Sequence, residues 1–331
     1  WDGRSSDSLW CPDDKFNFNT RFCSHVFKDN YGSIWILTFN RGIVCLMPDG
    51  KWRQFTRDNS DLVSDFMTSM TYSPELDKVF VSNRQCIYEI QTNNMTLKKV
   101  IDFSQVTNLF IDSRCILWIG TTDGLYYTYM TQDSGISKID ISDGLSHNSI
   151  TGIGEDMKGD LWVTTNHGFT HIYIIDDPHK KSIEPRCFPY YEDDGTGDGR
   201  FTLNSICFSE DGSILLGNDG KVIKVNSNAA SPNKKENDLK VTAVMVSGEN
   251  VRIADNDILR MNHNDNLTVT VSAMDYMNLN KIRFEFRLDG SEDWTMMQGN
   301  LLFLNRIPSG KHKLKIRIIG AVHDPEDTVE V

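Results

Sequence analysis

Short apolar segments alternate with polar turns along most of the chain, and one turn-flanked pattern returns several times. In LWIGTTDGLYY, residues 117–127, β-forming residues lie on both sides of the polar turn 121–124, and this arrangement predicts a β-hairpin. A similar segment, LWVTTNHGFTH, spans residues 161–171. Because the hairpin repeats, the pattern indicates an architecture built from repeated units.

The repeat extends well beyond these two segments. Its reference position, a Trp in both hairpins, recurs roughly every 45 residues. The reference positions are Trp1, Trp35, Phe80, Trp118, Trp162 and Leu215. A short strand that ends in an acidic turn precedes each complete hairpin, and a more polar strand follows it. Four strands in about 45 residues predict one blade of a β-propeller, whereas the near absence of helical periodicity excludes a helical solenoid.

The chain divides into a repeat region and a region of regular alternation. Residues 1–228 hold five complete copies, preceded by the back half of another, and we expect a part of a seven-bladed propeller that is truncated at the N-terminus. Residues 229–239 are polar and predict a linker. In 240–331 apolar and polar residues alternate, which predicts an immunoglobulin-like β-sandwich. The predicted fold class is therefore all-β.

Two stretches resemble a known family of sensors. DGLSHNSI at 143–150, followed by EDMKGDLWVTTNHGF at 155–169, resembles the two-component regulator propeller repeat. The order of segments over 267–318 resembles the triple-tyrosine (Y_Y_Y) domain that follows such propellers, although phenylalanines and a histidine occupy the places of the tyrosines. The resemblance implies the periplasmic sensor region of a hybrid histidine kinase, an inner-membrane protein that controls polysaccharide utilisation. The kinase and the membrane helix would lie outside this chain.

Composition narrows the possible partners. The formal net charge is −12 and the sequence has no long basic run, so binding to nucleic acid is not expected. No segment approaches the roughly 18 apolar residues of a membrane helix. The seven cysteines are scattered without a CxxC pair, and we expect most of them to be buried free thiols.

No enzyme motif stands out, and we expect no catalytic site, cofactor or metal ion in this region. The segment EDDGTGDGR at 192–200 has the composition of a calcium loop but lacks the EF-hand spacing, so a flexible loop between blades is the preferred interpretation. His147, His167 and His171 invite a metal or acid–base interpretation. Since they fall at predicted turns, we expect them to be exposed to solvent.

The predicted ligand site lies on one face of the propeller. Two sets of loops should meet there: the turns within each hairpin and the connections between blades. Arginines recur in these loops, and their guanidinium groups suit carboxylates and sulfates, while phenylalanine rings could lie beneath sugar rings. The candidate ligand-binding residues are Phe39, Arg41, Arg84, Asp123, His147, Asn166, His167, Arg200 and Phe201.

Three functions compete at this point. The first is a non-catalytic sensor that binds an oligosaccharide, for which an acidic one would suit the arginines, and that forms a homodimer through its sandwich. The second is an enzyme, because such repeats also resemble streptogramin lyases; a histidine base beside a divalent metal ion would then be needed, with His147 or His167 near a carboxylate. The third is an adhesion or scaffold module.

Overall fold

The computed structural model describes most of the chain in seven four- or three-stranded antiparallel sheets. The described residues are 23–132, 134–177, 182–197, 200–226, 239–252, 258–262, 264–273, 283–289, 294–305, 307–319 and 328–330. Regular helix in these ranges is limited to two short 3-10 turns, Ile141–Asp143 and Glu192–Asp194. Trp1 lies outside the described residues, and so do residues 229–238 of the predicted linker.

Five of the sheets are meanders of consecutive strands, which we number as blades 1 to 5. Blade 1 contains β1 (Cys23–Lys28), β2 (Ile34–Thr38), β3 (Ile43–Leu46) and β4 (Trp52–Phe55). Blade 2 contains β5 (Met67–Ser73), β6 (Lys78–Asn83), β7 (Cys86–Gln91) and β8 (Thr96–Asp102). Blade 3 contains β9 (Val106–Ile111), β10 (Ile116–Thr121), β11 (Leu125–Tyr129) and β12 (Ser137–Ile139). Blade 4 contains β13 (Ile150–Glu155), β14 (Leu161–Thr165), β15 (Phe169–Asp177) and β16 (Ser182–Tyr190). Blade 5 contains β17 (Phe201–Phe208), β18 (Ser213–Asn218) and β19 (Lys221–Asn226).

The remaining two sheets lie towards the C-terminus and pack on one another. Their strands are β20 (Leu239–Val246), β21 (Glu249–Asn250), β22 (Asn266–Ala273), β23 (Arg283–Leu288), β24 (Thr295–Met296), β25 (Leu301–Asn305), β26 (Leu314–Ile319) and β27 (Thr328–Glu330). One sheet has the order β21-β20-β22-β25 and the other β24-β23-β26-β27. A single apolar cluster joins them, with Val269 and Val271 from one sheet and Ile316 from the other fully buried. The immunoglobulin-like topology, the seven-bladed ring and the exact domain boundaries stay predictions.

Each of the three described tryptophans of the repeat is held by an aspartate in the preceding acidic turn. In blade 3, the indole Nε1 of Trp118 donates a hydrogen bond of 3.0 Å to Oδ2 of Asp112. The other carboxylate oxygen, Oδ1, accepts the backbone N–H groups of Arg114 and Ile116, which closes the turn between the first two strands. The buried carboxylate thus satisfies three donors at once, as a buried charge requires.

The same geometry recurs in blades 1 and 4. Asp29 accepts the indole N–H of Trp35 at 2.8 Å, and Asp156 accepts that of Trp162 at 2.9 Å. All three tryptophans are fully buried, so the predicted equivalence of these positions is confirmed. The register of the repeat follows directly from this recurring contact.

Blades 2 and 5 lack both halves of the contact. Phe80 and Leu215 occupy the tryptophan position, and neither side chain has an N–H group to donate. Six residues earlier, where the other blades have aspartate, stand Pro74 and Ser209. An aspartate is present where an indole can bond it and absent where none can, as expected from the cost of burying an unpaired carboxylate.

Adjacent blades share their cores and their hydrogen bonds. Trp118 of blade 3 packs in one cluster with Ile150 and Ile153 of blade 4. The hydroxyl of Ser69 in blade 2 accepts the backbone N–H of Leu109 in blade 3. The predicted all-β architecture is therefore confirmed, with four-stranded blades 1 to 4 and three described strands in blade 5.

The cysteines behave mostly as small apolar residues. Among the described residues, Cys45, Cys86, Cys115 and Cys187 are buried free thiols, whereas Cys23 and Cys207 are exposed free thiols. Burial raises the pKa of the Cys45 thiol to about 12, so this thiol stays protonated at neutral pH.

Replacement of Asp112 by asparagine should destabilise the fold. The amide nitrogen of asparagine cannot accept the Trp118 indole N–H, and we expect Asp112→Asn to lower the free energy of unfolding by about 1–3 kcal/mol. Asp211 in blade 5 is the matched control, because it bonds Ser213 N on an exposed turn without a tryptophan. Asp211→Asn should change stability by about 0.5 kcal/mol or less in urea denaturation. Equal losses at the two positions would contradict this role of the contact.

The loss of stability caused by Asp112→Asn should also depend on pH. Burial raises the pKa of this carboxyl above its ordinary value, despite its hydrogen bonds. The folded protein therefore holds the proton more tightly than the unfolded chain, and the parent loses stability as the pH rises through the raised pKa. Because asparagine does not titrate, the stability difference between parent and Asp112→Asn should be largest in acid and smaller at neutral pH.

Candidate functional site

The hairpin turns of three blades are built in the same way. A threonine hydroxyl at the end of the second strand donates to a glycine carbonyl across the turn and accepts a backbone N–H within it. The donating threonines are Thr38, Thr121 and Thr165, with Gly42, Gly124 and Gly168 as acceptors. The N–H groups that these threonines accept belong to Arg41, Asp123 and His167. Three predicted site residues thus occupy one equivalent position, directly before the glycine, on the turns of blades 1, 3 and 4.

Glycine is needed at the end of such a turn. Gly168 has φ of +82°, a region that L-residues rarely adopt, and a Cβ there would lie 2.2 Å from the carbonyl oxygen of Tyr190. The end of strand β16 therefore approaches the turn closely enough to exclude any side chain at position 168.

The hairpin turns and the connections between blades meet on one face, as predicted. Gly42 N donates to Asp65 O at 3.0 Å, Asn166 N to Ser149 O at 3.0 Å, and Asp219 N to Arg200 O at 3.3 Å. Each bond joins a hairpin turn to a connection between blades. We call the surface formed by these two sets of loops the loop face.

Three arginines of the loop face are exposed and uncommitted. In the described part of the chain, no side-chain hydrogen-bond or ion-pair partner lies within reach of the guanidinium groups of Arg41, Arg84 or Arg200. By contrast, Arg114, outside the loop face, bonds Glu155 and the carbonyl of Gly159. Uncommitted guanidinium groups on an acidic protein are available to an anionic ligand.

Asp123 is engaged by its own blade. Its carboxylate accepts Nζ of Lys138 at 3.0 Å and the hydroxyl of Tyr126 at 3.2 Å. Both contacts are exposed, so a ligand could compete for them at small cost. Asp123 therefore lies on the loop face but needs to exchange partners to contact a ligand.

His147 and Asn166 shape the loops rather than project from them. Nδ1 of the half-buried His147 accepts the backbone N–H of Ser149 at 2.9 Å, which leaves Nε2 as its free position. The Asn166 side chain donates to the Ser149 hydroxyl at 2.8 Å. His167 is exposed, with its ring 5.6 Å from that of Tyr191. In the described residues, neither His147 nor His167 pairs with a carboxylate, so the base–carboxylate geometry that an enzyme would need is not present there.

The two predicted aromatic residues differ in exposure, and the prediction for Phe201 is wrong. Phe39 is 51% exposed, and its ring meets that of Phe66, which is 54% exposed, edge to face at 5.6 Å. Phe201 is only 3% exposed and packs edge to face on Phe169 in the core around Trp162. Its ring cannot offer a face to a sugar. Phe66, which sequence reasoning missed, is the second exposed aromatic ring of the loop face.

His171 was also predicted wrongly. It is 2% exposed and stacks on Trp162, with the ring centroids 4.0 Å apart. Its partner across the strands is Trp162. The tryptophan at this position is fully buried in blades 1, 3 and 4. The residue lies towards the acidic turn of blade 4 and not on the loop face.

The 192–200 segment is a connection between blades. Its residues Glu192–Asp194 form a 3-10 turn, and the carboxylate of Asp194 accepts the backbone N–H of Tyr191. Residues 198 and 199 lie outside the described residues. One carboxylate oxygen of this acidic segment is thus committed to capping the turn.

The blades and their repeated aspartate–tryptophan turns define the chain as a β-propeller protein that carries two further packed sheets. Within it, residues 144–167 match the Two component regulator propeller family. This match confirms the resemblance predicted from the same repeat. No curated protein matches the chain.

Several solved structures are similar in fold. The extracellular domain of the proposed hybrid two-component system BT3049 of B. thetaiotaomicron is 19% identical with a TM-score of 0.57, over 93% of this chain and 43% of that one. The corresponding domain of BT4673 is 18% identical with a TM-score of 0.48, over 93% and 44%. A gluconolactonase of Xanthomonas campestris is 10% identical with a TM-score of 0.43, over 61% and 71%. The chain spans less than half the length of the two sensor structures.

The two exposed phenylalanines and the buried one should respond differently to truncation. Phe201→Ala should lower the free energy of unfolding by about 3–5 kcal/mol, because it empties a core site. Phe66→Ala should cost about 1 kcal/mol or less, since it removes an exposed edge-to-face contact. Urea denaturation of the two variants distinguishes these roles. A loss at Phe66 as large as that at Phe201 would place Phe66 in the core.

Proposed function

We propose that the chain is the ligand-sensing part of a hybrid two-component regulator and binds an oligosaccharide on its loop face. The observation that carries this proposal is the set of exposed, uncommitted arginines on the loop face, beside an exposed aromatic pair. The family match at 144–167 and the fold shared with the BT3049 domain support the sensor class.

The side chains of the loop face suit an acidic sugar. A guanidinium group can donate two parallel hydrogen bonds to a carboxylate or sulfate, and such bonds are among the strongest in proteins. The rings of Phe39 and Phe66 supply flat apolar surface for the C–H face of a sugar. The free Nε2 of His147 adds one further polar group on the same face.

The sandwich is placed to respond to this face. Nη1 of Arg283, at the start of β23, donates hydrogen bonds of 2.6 Å to Ile141 O and 2.9 Å to Ser142 O. These carbonyls belong to the connection that leads to His147. Within it, the Asn148 side chain accepts the N–H of Ile141 at 2.9 Å. A continuous series of hydrogen bonds therefore runs from the sandwich to the loop face.

The proposed setting is the periplasmic side of an inner membrane, in a homodimer that associates through the sandwich. The compared two-component domains are extracellular by description. Within the described residues, no helix has the length and apolar character to cross a membrane. A kinase and a membrane segment would belong to other parts of the full-length protein.

Removal of one loop-face arginine should weaken binding of acidic sugars. Loss of a charged hydrogen bond costs about 1.5–3 kcal/mol, so Arg84→Ala should weaken affinity by about ten- to a hundredfold. Calorimetric titrations would use oligogalacturonides, chondroitin sulfate oligosaccharides and neutral galactan oligosaccharides. Arg260→Ala, an exposed arginine of the sandwich, is the control with the same change of charge.

Salt dependence is the second measurement. Exposed ion pairs are screened as the Debye length falls from about 10 Å at 0.1 M to about 3 Å at 1 M salt, so acidic sugars should bind less tightly at high salt. Binding of neutral sugars alone, insensitive to salt and to Arg84→Ala, would contradict the arginine role. Absence of binding to every sugar of the panel would contradict the proposed ligand class.

Arg283 should matter for transmission and not for affinity. In the full-length sensor, Arg283→Gln breaks the contact with the 141–142 carbonyls, and we expect ligand-induced kinase output to fall while the affinity stays within about twofold. Arg287→Gln, on the same strand but over the Trp294 ring, is the matched control. Normal output in Arg283→Gln would refute transmission through this contact.

A further inference from the structure

A second cluster of polar side chains lies at the opposite end of blade 4. Asp156 and Asp160 belong to the acidic turn between β13 and β14, and His171 lies on β15. Potential ligand atoms of these three residues all lie within 4.8 Å of one another. The five residues of β14 separate this turn from the hairpin turn on the loop face, a distance of about 16 Å at the rise of a strand. We call these three residues the turn cluster.

His171 is the unusual member of the turn cluster. The imidazole is buried between two aromatic rings, Trp162 at 4.0 Å and Tyr173 at 4.1 Å. Among the residues that the structure describes, neither of its ring nitrogens has a hydrogen-bond partner. A buried polar group without a partner costs about 1–3 kcal/mol, so an imidazole in this state calls for a ligand.

The charges around His171 favour a cation. Nε2 of His171 lies 3.5 Å from Oδ2 of Asp160, at an orientation that forms no hydrogen bond. In the described part of the chain, no lysine or arginine side chain pairs with Asp156 or Asp160. Two carboxylates therefore face one imidazole, and neither forms an ion pair with a lysine or arginine of the described residues.

The corresponding site in blade 2 is neutralised by a lysine. There, the residue two positions before the reference residue is Lys78, and the residue across from the reference residue is Glu89. Their side chains form an ion pair of 2.7 Å. In blade 4 the same two positions hold Asp160 and His171, so the fixed cation of blade 2 has no counterpart there.

The spacing of one donor pair, on His171 and Asp160, matches a small metal ion. Zinc binds imidazole nitrogen at about 2.0–2.1 Å and carboxylate oxygen at about 2.0–2.2 Å, so two tetrahedral ligands lie about 3.4 Å apart. The observed separation between Nε2 of His171 and Oδ2 of Asp160 is 3.5 Å. Oδ2 of Asp156 accepts the Trp162 indole N–H, and a carboxylate oxygen has a second lone pair with which to bind a metal.

We infer that Asp156, Asp160 and His171 bind a divalent first-row transition metal ion, with zinc as the ion that suits this donor set. An imidazole with two carboxylates is typical of zinc, cobalt and manganese sites, whereas calcium and magnesium prefer oxygen ligands throughout. Water would complete the coordination. The ion would join the acidic turn to β15 and stabilise blade 4, independently of any ligand on the loop face.

The test is a titration of the metal-free chain with zinc chloride and with cobalt chloride, followed by calorimetry and thermal denaturation. One zinc ion should bind per chain and raise the melting temperature. Two variants take their residues from the same positions of other blades: Asp160→Ser copies Ser33 and Ser213, and His171→Tyr copies Tyr127. Each should weaken zinc binding by more than about a hundredfold, beyond the loss expected for an outer partner.

Controls separate this site from other zinc-binding groups. His147→Ala and His167→Ala should bind zinc as the parent does, and so should a Cys23→Ser/Cys207→Ser variant, which lacks the two exposed thiols of the described residues. The cobalt complex should show visible d–d absorption without a thiolate charge-transfer band. Unchanged zinc affinity in both Asp160→Ser and His171→Tyr would overturn the inference, as would binding that disappears with the thiols. A parent chain that binds no zinc would also refute it.

Discussion

The blade depends on one hydrogen bond, from a tryptophan indole to an aspartate six residues earlier. The aspartate lies in the acidic turn, buried for Asp29 and Asp112 and half-buried for Asp156, and its two oxygens accept one indole and two backbone N–H groups. Because a buried carboxylate is tolerated only when its donors are in place, this contact fixes the turn, the strand pairing and the depth of the tryptophan together. Blades 2 and 5 have no indole at this position and no aspartate six residues earlier, so their turns form without this contact.

This constraint explains why the blades could be predicted from the sequence. The tryptophan, the acidic turn and the threonine–glycine hairpin turn are local signals, and each recurs at the same offset, so the blades could be aligned without a structure. The alternation of the last ninety or so residues likewise gave paired strands. The number of blades in the intact ring and the class of the sandwich depend on contacts between distant segments and are not encoded in such offsets.

Two side chains that the sequence analysis expected to be accessible are buried. His171 was assigned by residue type to a turn, yet in blades 3 and 4 the position across the strands from the tryptophan packs against the aromatic residue two positions later. Phe201 begins β17, where the first side chain turns inward onto Phe169. Tyr127 and His171 each lie nine residues after the tryptophan of their blade. This shared offset would have shown that His171 lies across from Trp162 and not in a turn. Phe66 was missed because an isolated phenylalanine in a polar loop carries no periodic signal.

The contact of Arg283 gives the loop face a physical connection to the sandwich. A guanidinium that bonds two backbone carbonyls responds to the path of the main chain and not to which side chains the loop carries. The loop that Arg283 contacts is held by Gly144 and by Asn148. Gly144 has φ of +107°, and a Cβ there would lie only 3.0 Å from the Cβ of Cys187, so a side chain would be strained. A ligand that favours one arrangement of this loop must therefore change the geometry offered to Arg283. A ligand shifts an equilibrium only by its differential affinity for the two states. The side chains that bind the ligand must therefore also be the side chains that hold the loop. His147 and Asn166, which bond Ser149 from either side, meet that requirement.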